Sequence, residues 1–155
     1  MLFFYLILQC LSLTCNADVQ GDYKTSLLLA KMIIIERNDA SYDLAESLLD
    51  DVQPYDESGD VELFKALLHI RKNMQPSETD EILELLNDSA DKVNPLALAL
   101  LFKIYSEPFL LSQPDKEKAE LYKDRYQIAY NSSKIAEEFS VVLSTVNKVL
   151  NGFKL

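Results

Sequence analysis

Lys65, His69 and Lys72 stand at i, i+4 and i+7, the spacing that puts three side chains on one face of an α-helix. Lys31 lies 34 residues before Lys65, and Lys103 lies 34 residues after His69. Cationic positions repeated at a constant offset would form a basic stripe. Such a stripe could receive an acidic segment or a carboxylate of a partner. Bond-making chemistry has less to build on. His69 is the one histidine of the chain, so no second imidazole completes a metal site. Asp56-Glu57-Ser58-Gly59-Asp60 offers oxygen ligands but lacks the ligand spacing and bidentate Glu of an EF-hand, and reads as a solvated loop. Ser132 and Ser133 have no histidine nearby and no nucleophile elbow. Asp50-Asp51 and Glu137-Glu138 are carboxylate neighbours that point apart on a helix. No glycine-rich phosphate loop occurs. The residues therefore imply a binding protein that is not an enzyme and takes no metal or cofactor. A hydrolase using carboxylates brought together in space is the alternative from another class.

The elements that must hold these residues are helices. The chain has only 3 Gly and 5 Pro in 155 residues, too little punctuation for many short strands. Helical spacing and cap residues predict seven helices: about 22–37, 42–52, 61–72, a fourth ending near Lys92, 96–106, 116–130 and 134–150. Asp60, Asn94-Pro95 and Asp115 are cap signals, and Ser77-Glu78-Thr79-Asp80 resembles a capping box. The first and fifth helices are apolar on nearly all faces, which predicts that neighbours sandwich them. The last carries a single stripe, Ile135, Phe139, Val142, Leu143, Val146, Val149 and Leu150. Leu48-Leu49, Leu85-Leu86 and Leu121-Tyr122 recur 37 and 36 residues apart. Two helices per period of that length describe an α-solenoid. The expected fold is all-α: an α-α superhelix of about three helical hairpins plus a C-terminal amphipathic helix.

Charge and address narrow the setting. The net charge is −10, split as −11 before Asp115 and +1 from Asp115 onward. That field repels nucleic acid and anionic lipid, and an acidic face of this kind suits a basic partner. Met1–Ala17 contains no charged side chain, begins with an apolar run, and ends in Cys15-Asn16-Ala17. It reads as a signal peptide, leaving 18–155 as one helical domain that is periplasmic or secreted and not inserted in the membrane. Both cysteines lie in that segment, so the mature chain carries no thiol chemistry. Asn87-Asp88-Ser89 and Asn131-Ser132-Ser133 match glycosylation acceptors.

Phe64-Lys-Ala-Leu-Leu-His-Ile70 aligns with Leu98-Ala-Leu-Leu-Phe-Lys-Ile104 at an offset of 34. Asp115-Lys-Glu-Lys-Ala-Glu-Leu-Tyr122, after the long loop Glu107 to Pro114, resembles the Sel-one-like branch of the tetratricopeptide-like repeats. Asp43-Leu-Ala45 is a shorter copy. Ala66-Leu67 and Leu100-Leu101 stand where that family places Leu-Gly. The resemblance implies a helical-repeat scaffold that binds another protein, as an adaptor in the cell envelope or outside the cell. Lys31, Lys65, His69, Lys72 and Lys103 would line its concave face. A secreted inhibitor or immunity protein that neutralises an enzyme is the neighbouring reading. Intact-mass measurement of the exported product is expected to give a chain beginning at Asp18. A mass that retains Met1–Ala17 would replace the leader with an anchor.

Overall fold

Two helices, the third and the fifth, bury most of their circumference, whereas the others bury a single side. The computed structural model describes residues 22–72 and 78–151. The leader reading for Met1–Ala17 and the Ser77 cap fall outside those residues. Helices α1 (22–36), α3 (Asp60–Arg71), α5 (Pro95–Ser106) and α7 (Phe139–Asn151) alternate with α2 (Tyr42–Val52), α4 (Thr79–Asp91) and α6 (Lys116–Asn131). Two 3-10 turns, Asp39–Ser41 and Gln53–Tyr55, complete the elements, and no strand occurs among the described residues.

α3 buries Val61, Leu63, Phe64, Ala66, Leu67, Leu68 and Ile70, and α5 buries Ala97 to Leu101 with Ile104 and Tyr105. Helices apolar around most of their circumference must be covered on several sides. α2, α4 and α6 each bury only four residues, in one stripe. From α2 to α6 each helix packs on its chain neighbours, and α7 packs on α5 and α6. The recurrent sequence positions share one environment: Leu49, Leu86 and Tyr122 are core residues. Polar contacts also bridge equivalent helices at the sequence period. The Tyr122 hydroxyl donates to Asn87 Oδ1 at 2.5 Å across 35 residues. Arg125 pairs with Asp91 at 2.8 Å across 34 residues and donates to the Ala90 carbonyl.

Caps behave as the sequence suggests at two sites. Asn94 Oδ1 accepts from the Leu96 and Ala97 N–H groups, with Pro95 at the first helical position. Asp115 accepts from the Lys118 N–H. α7 differs: it starts at Phe139 rather than near Lys134. The reason lies in how α6 stops. Ser133 takes a φ of 60°, and the Ser133 and Lys134 N–H groups donate to the Tyr130 and Ala129 carbonyls. This is a Schellman motif, and it folds buried Ile135 back against the helix end. The Tyr126 hydroxyl then holds the Glu137 carbonyl at 2.8 Å. Arg37 and Val93 end α1 and α4 with the same positive φ, 59° and 63°. None of the three is glycine, so the left-handed residue could not be read from composition.

The loop before α3 is a packed junction. Gly59 has φ 78°, and a Cβ there would stand 2.8 Å from the Ser89 carbonyl oxygen. The Ser89 hydroxyl donates to the Gly59 carbonyl at 2.6 Å. Asp56 accepts from the Ser58 and Val61 N–H groups, and Asn94 Nδ2 donates to the Ser58 carbonyl and to Asp60. Lys92 reaches both the Asp56 carbonyl and the buried Glu62 carboxylate at 2.8 Å. Burial raises the Asp56 pKa, but the Ser58 and Val61 hydrogen bonds and the Lys92 charge outweigh it, leaving the carboxyl below its ordinary value. The solvated loop expected for Asp56–Asp60 is thus tied to the ends of α4 and α5. Its carboxylates serve as caps and ion-pair partners.

Two opposite glycine substitutions test this account. Gly59→Ala adds left-handed strain and a backbone clash, and should lower stability by roughly 2–4 kcal/mol. Ser133→Gly, at an exposed position of the same backbone sign, should raise it by about 0.5–1 kcal/mol. Urea unfolding of both variants reads the difference. Phenol burial sets a second test. Tyr126 is fully buried and pushed up to about 12, first by burial and then by the Glu137 charge. Burial also raises Tyr42, Tyr105 and Tyr122. These phenols keep their protons in the fold and release them on unfolding near pH ~10. Stability is therefore intact below about pH 10 and falls as pH rises through the folded values. Tyr126→Phe should cost about 1 kcal/mol at neutral pH and flatten the alkaline loss.

Candidate protein-interaction surface

The odd-numbered helices meet at one apolar cavity. Ile35 of α1, Phe64 and Leu67 of α3, Leu100 of α5, and Val146 and Leu150 of α7 line it, and it presents no polar surface. Its volume is about 110 Å³. A cavity of roughly 150 Å³ with such walls holds a benzene ring, so this one suits a single aliphatic side chain. The rim is accessible: Ile35 is 51% exposed, while Phe64 and Leu67 are buried. Leu63, Leu67 and Leu100 are also core residues, so the same side chains that pack α3 and α5 floor the cavity.

None of the five cationic positions lines this cavity. Lys31 Nζ lies 2.5 Å from Asp60 and 5.2 Å from the centre of the Phe64 ring, at the cavity's margin. Lys65 turns to α2, where it pairs with Asp50 at 2.6 Å and donates to Gln53. Lys72 also turns to α2, pairing with Glu46 at 2.6 Å and Asp43 at 3.3 Å. The Glu46 hydrogen bond holds the Lys72 ammonium above its ordinary pKa, against partial burial. His69 Nε2 stands 3.8 Å from Glu81 of α4, an ion pair only when the imidazole is protonated. Lys103 pairs with Glu107 four residues on. The helical spacing of Lys65, His69 and Lys72 thus splits between two neighbouring helices. Each cation of the stripe has a carboxylate of this chain beside it.

The other chemistry-bearing residues are likewise engaged in structure. The Asn87 amide is used at both ends, donating to the Leu83 carbonyl and accepting from Tyr122. The Asn131 side chain accepts from Gln127 at 2.9 Å and is exposed. Asp50 belongs to the Lys65 pair, and Glu137 holds Tyr126 through its backbone. No cluster of three or more His, Cys, Asp or Glu side chains that could hold a metal occurs among the described residues. No helix among them is long and apolar enough to cross a membrane.

The cavity was not legible in the sequence. Most of its walls are ordinary core residues, and its signal, two helices apolar all round with a third amphipathic helix later, equally describes a filled core. No protein-family model, curated protein or solved structure matches the chain significantly.

Proposed function

We propose that the protein is an exported helical-repeat adaptor or scaffold that binds another protein through the apolar cavity between its odd-numbered helices. The cavity itself carries this reading: four helices contribute to it, it presents no polar surface, and Ile35 leaves its rim half open. Protein partners commonly bury a bulky side chain in such a pocket while polar contacts surround it. The surrounding field supports a partner of opposite sign. The residues before Asp115 carry a balance of −11, which favours a segment with lysine or arginine on either side of its apolar anchor. Export rests on the Met1–Ala17 leader reading. A short α-α superhelix related to the Sel-one-like repeats is the architecture that accords with hairpins repeated at this period.

The basic stripe is the weaker docking surface. An acidic segment would have to displace Asp60, Asp50, Glu46 and Glu107 from cations they already meet at 2.5 to 2.7 Å. Exchange of one exposed ion pair for another gains little.

Selection of a random peptide library on the immobilised protein tests the reading. The expected enrichment is for one aliphatic residue flanked by Lys or Arg. Val149→Phe, at a half-buried position of the cavity wall, should fill the space and weaken the selected peptide by about tenfold or more. It should leave the melting curve unchanged. Ile128→Asp, on the exposed side of α6, should leave binding intact. Enrichment of acidic peptides, or binding indifferent to Val149→Phe, would overturn the cavity as the docking site.

A further inference from the structure

The first helix is not sandwiched as its composition predicts. α1 buries Ala30, Ile33 and Ile34 on one side, yet leaves Leu28 at 58%, Leu29 at 44%, Met32 at 48% and Ile35 at 51% exposure. Leu28, Met32 and Ile35 follow one another at i, i+4 and i+7, with Leu29 beside them, so the four form one continuous stripe. Nothing among the described residues covers it. A soluble repeat structure normally presents a polar outer face where its stack stops, and a contiguous apolar ridge of this kind marks an interaction surface.

The charges at the ends of the ridge indicate what covers it. Lys24 lies one turn before Leu28, and Glu36 lies one turn after Met32. Both are exposed, and neither pairs with another described residue. One end of the ridge is therefore positive and the other negative. A copy of the same helix laid antiparallel, in the register that sets Leu28 over Met32, also sets Lys24 over Glu36. A twofold axis repeats both contacts, as an isologous interface requires. A parallel copy would set like charges together.

We propose that this face of α1 is a homodimer interface: α1 packs antiparallel on α1 of a second copy, sealed at both ends by Lys24 to Glu36 ion pairs. One pair of helices of about 22 Å buries an area at the low end of specific interfaces, so the dimer is weak and forms in the micromolar range. Ile35 belongs to both the ridge and the rim of the cavity, so dimerisation narrows access to the cavity without filling it. The proposal does not depend on what the cavity binds.

Sedimentation equilibrium of the full chain decides it, with helicity and melting temperature as fold controls. The expected result is a reversible monomer–dimer equilibrium that Met32→Glu abolishes with no change in melting. Lys24→Glu and Glu36→Lys should each weaken association by about threefold or more. The double variant, which carries the swapped pair in both copies, should restore it. Four results would overturn the proposal. The first is a chain that stays monomeric, because a segment of its own or a different protein then covers the ridge. The others are association that survives Met32→Glu, single charge reversals without effect, and a charge-swapped double variant that fails to recover.

Discussion

Gly59 approaches the backbone of Ser89 so closely that no side chain fits between them. That contact fixes where the start of α3 sits on the end of α4. The Ser89 hydroxyl on the Gly59 carbonyl, the Asn94 amide on Ser58 and Asp60, and Lys92 on Glu62 then bring the start of α5 and the margin of α1 to the same point. Three buried polar residues, Glu62, Ser89 and Asn94, all belong to this junction. A buried polar group is stabilising only when its partners are in place. Ser89 and Asn94 meet theirs, while Glu62 Oε2 meets none among the described residues, so Ser89 and Asn94 select one stacking of the hairpins among those the apolar faces would tolerate. With the starts of α3 and α5 both tied to the end of α4 in this way, side chains of the two helices line one cavity together with residues of α1 and α7.

Part of the acidic complement is engaged in ion pairs between elements. Lys31, Lys65, Lys72 and Lys92 each bind a carboxylate on a different helix or loop. These partially exposed pairs each add little stability. They do fix which helix faces which, because a shifted register would leave like charges opposed. The carboxylates without a cation give the surface its negative field.

Much of the helix layout is written locally. Asn94-Pro95 and Asp115 announce helix starts because a cap bonds within three residues of itself. The repeat of Leu49, Leu86 and Tyr122 as core positions is visible because periodicity needs only one sequence. What is not visible depends on distant pairs. Gly59 reads as a loop glycine until Ser89, 30 residues away, is placed against it. Most of the basic stripe reads as available because the carboxylates that meet Lys31, Lys65, His69 and Lys72 lie on other elements. Schellman ends at Arg37, Val93 and Ser133 lack the glycine that usually marks them, and so the start of α7 is misplaced by five residues. The outer side of α1 reads as buried because its composition matches α3 and α5, and composition does not say whether a neighbour exists.

The cavity and the α1 ridge give the molecule two apolar surfaces of different character, one concave and made by several helices, the other a single convex stripe. The reading as a binding protein stands on the first. Methyl-resolved NMR, with a peptide carrying one leucine between lysines as the titrant, tests it most directly. The methyl groups of Ile35, Leu67, Leu100, Val146 and Leu150 should shift together and saturate together. Shifts confined to Leu28 and Leu29, to Leu44 and Leu121 on the outer helices, or to no methyl at all would contradict the cavity as the place where this protein meets its partner.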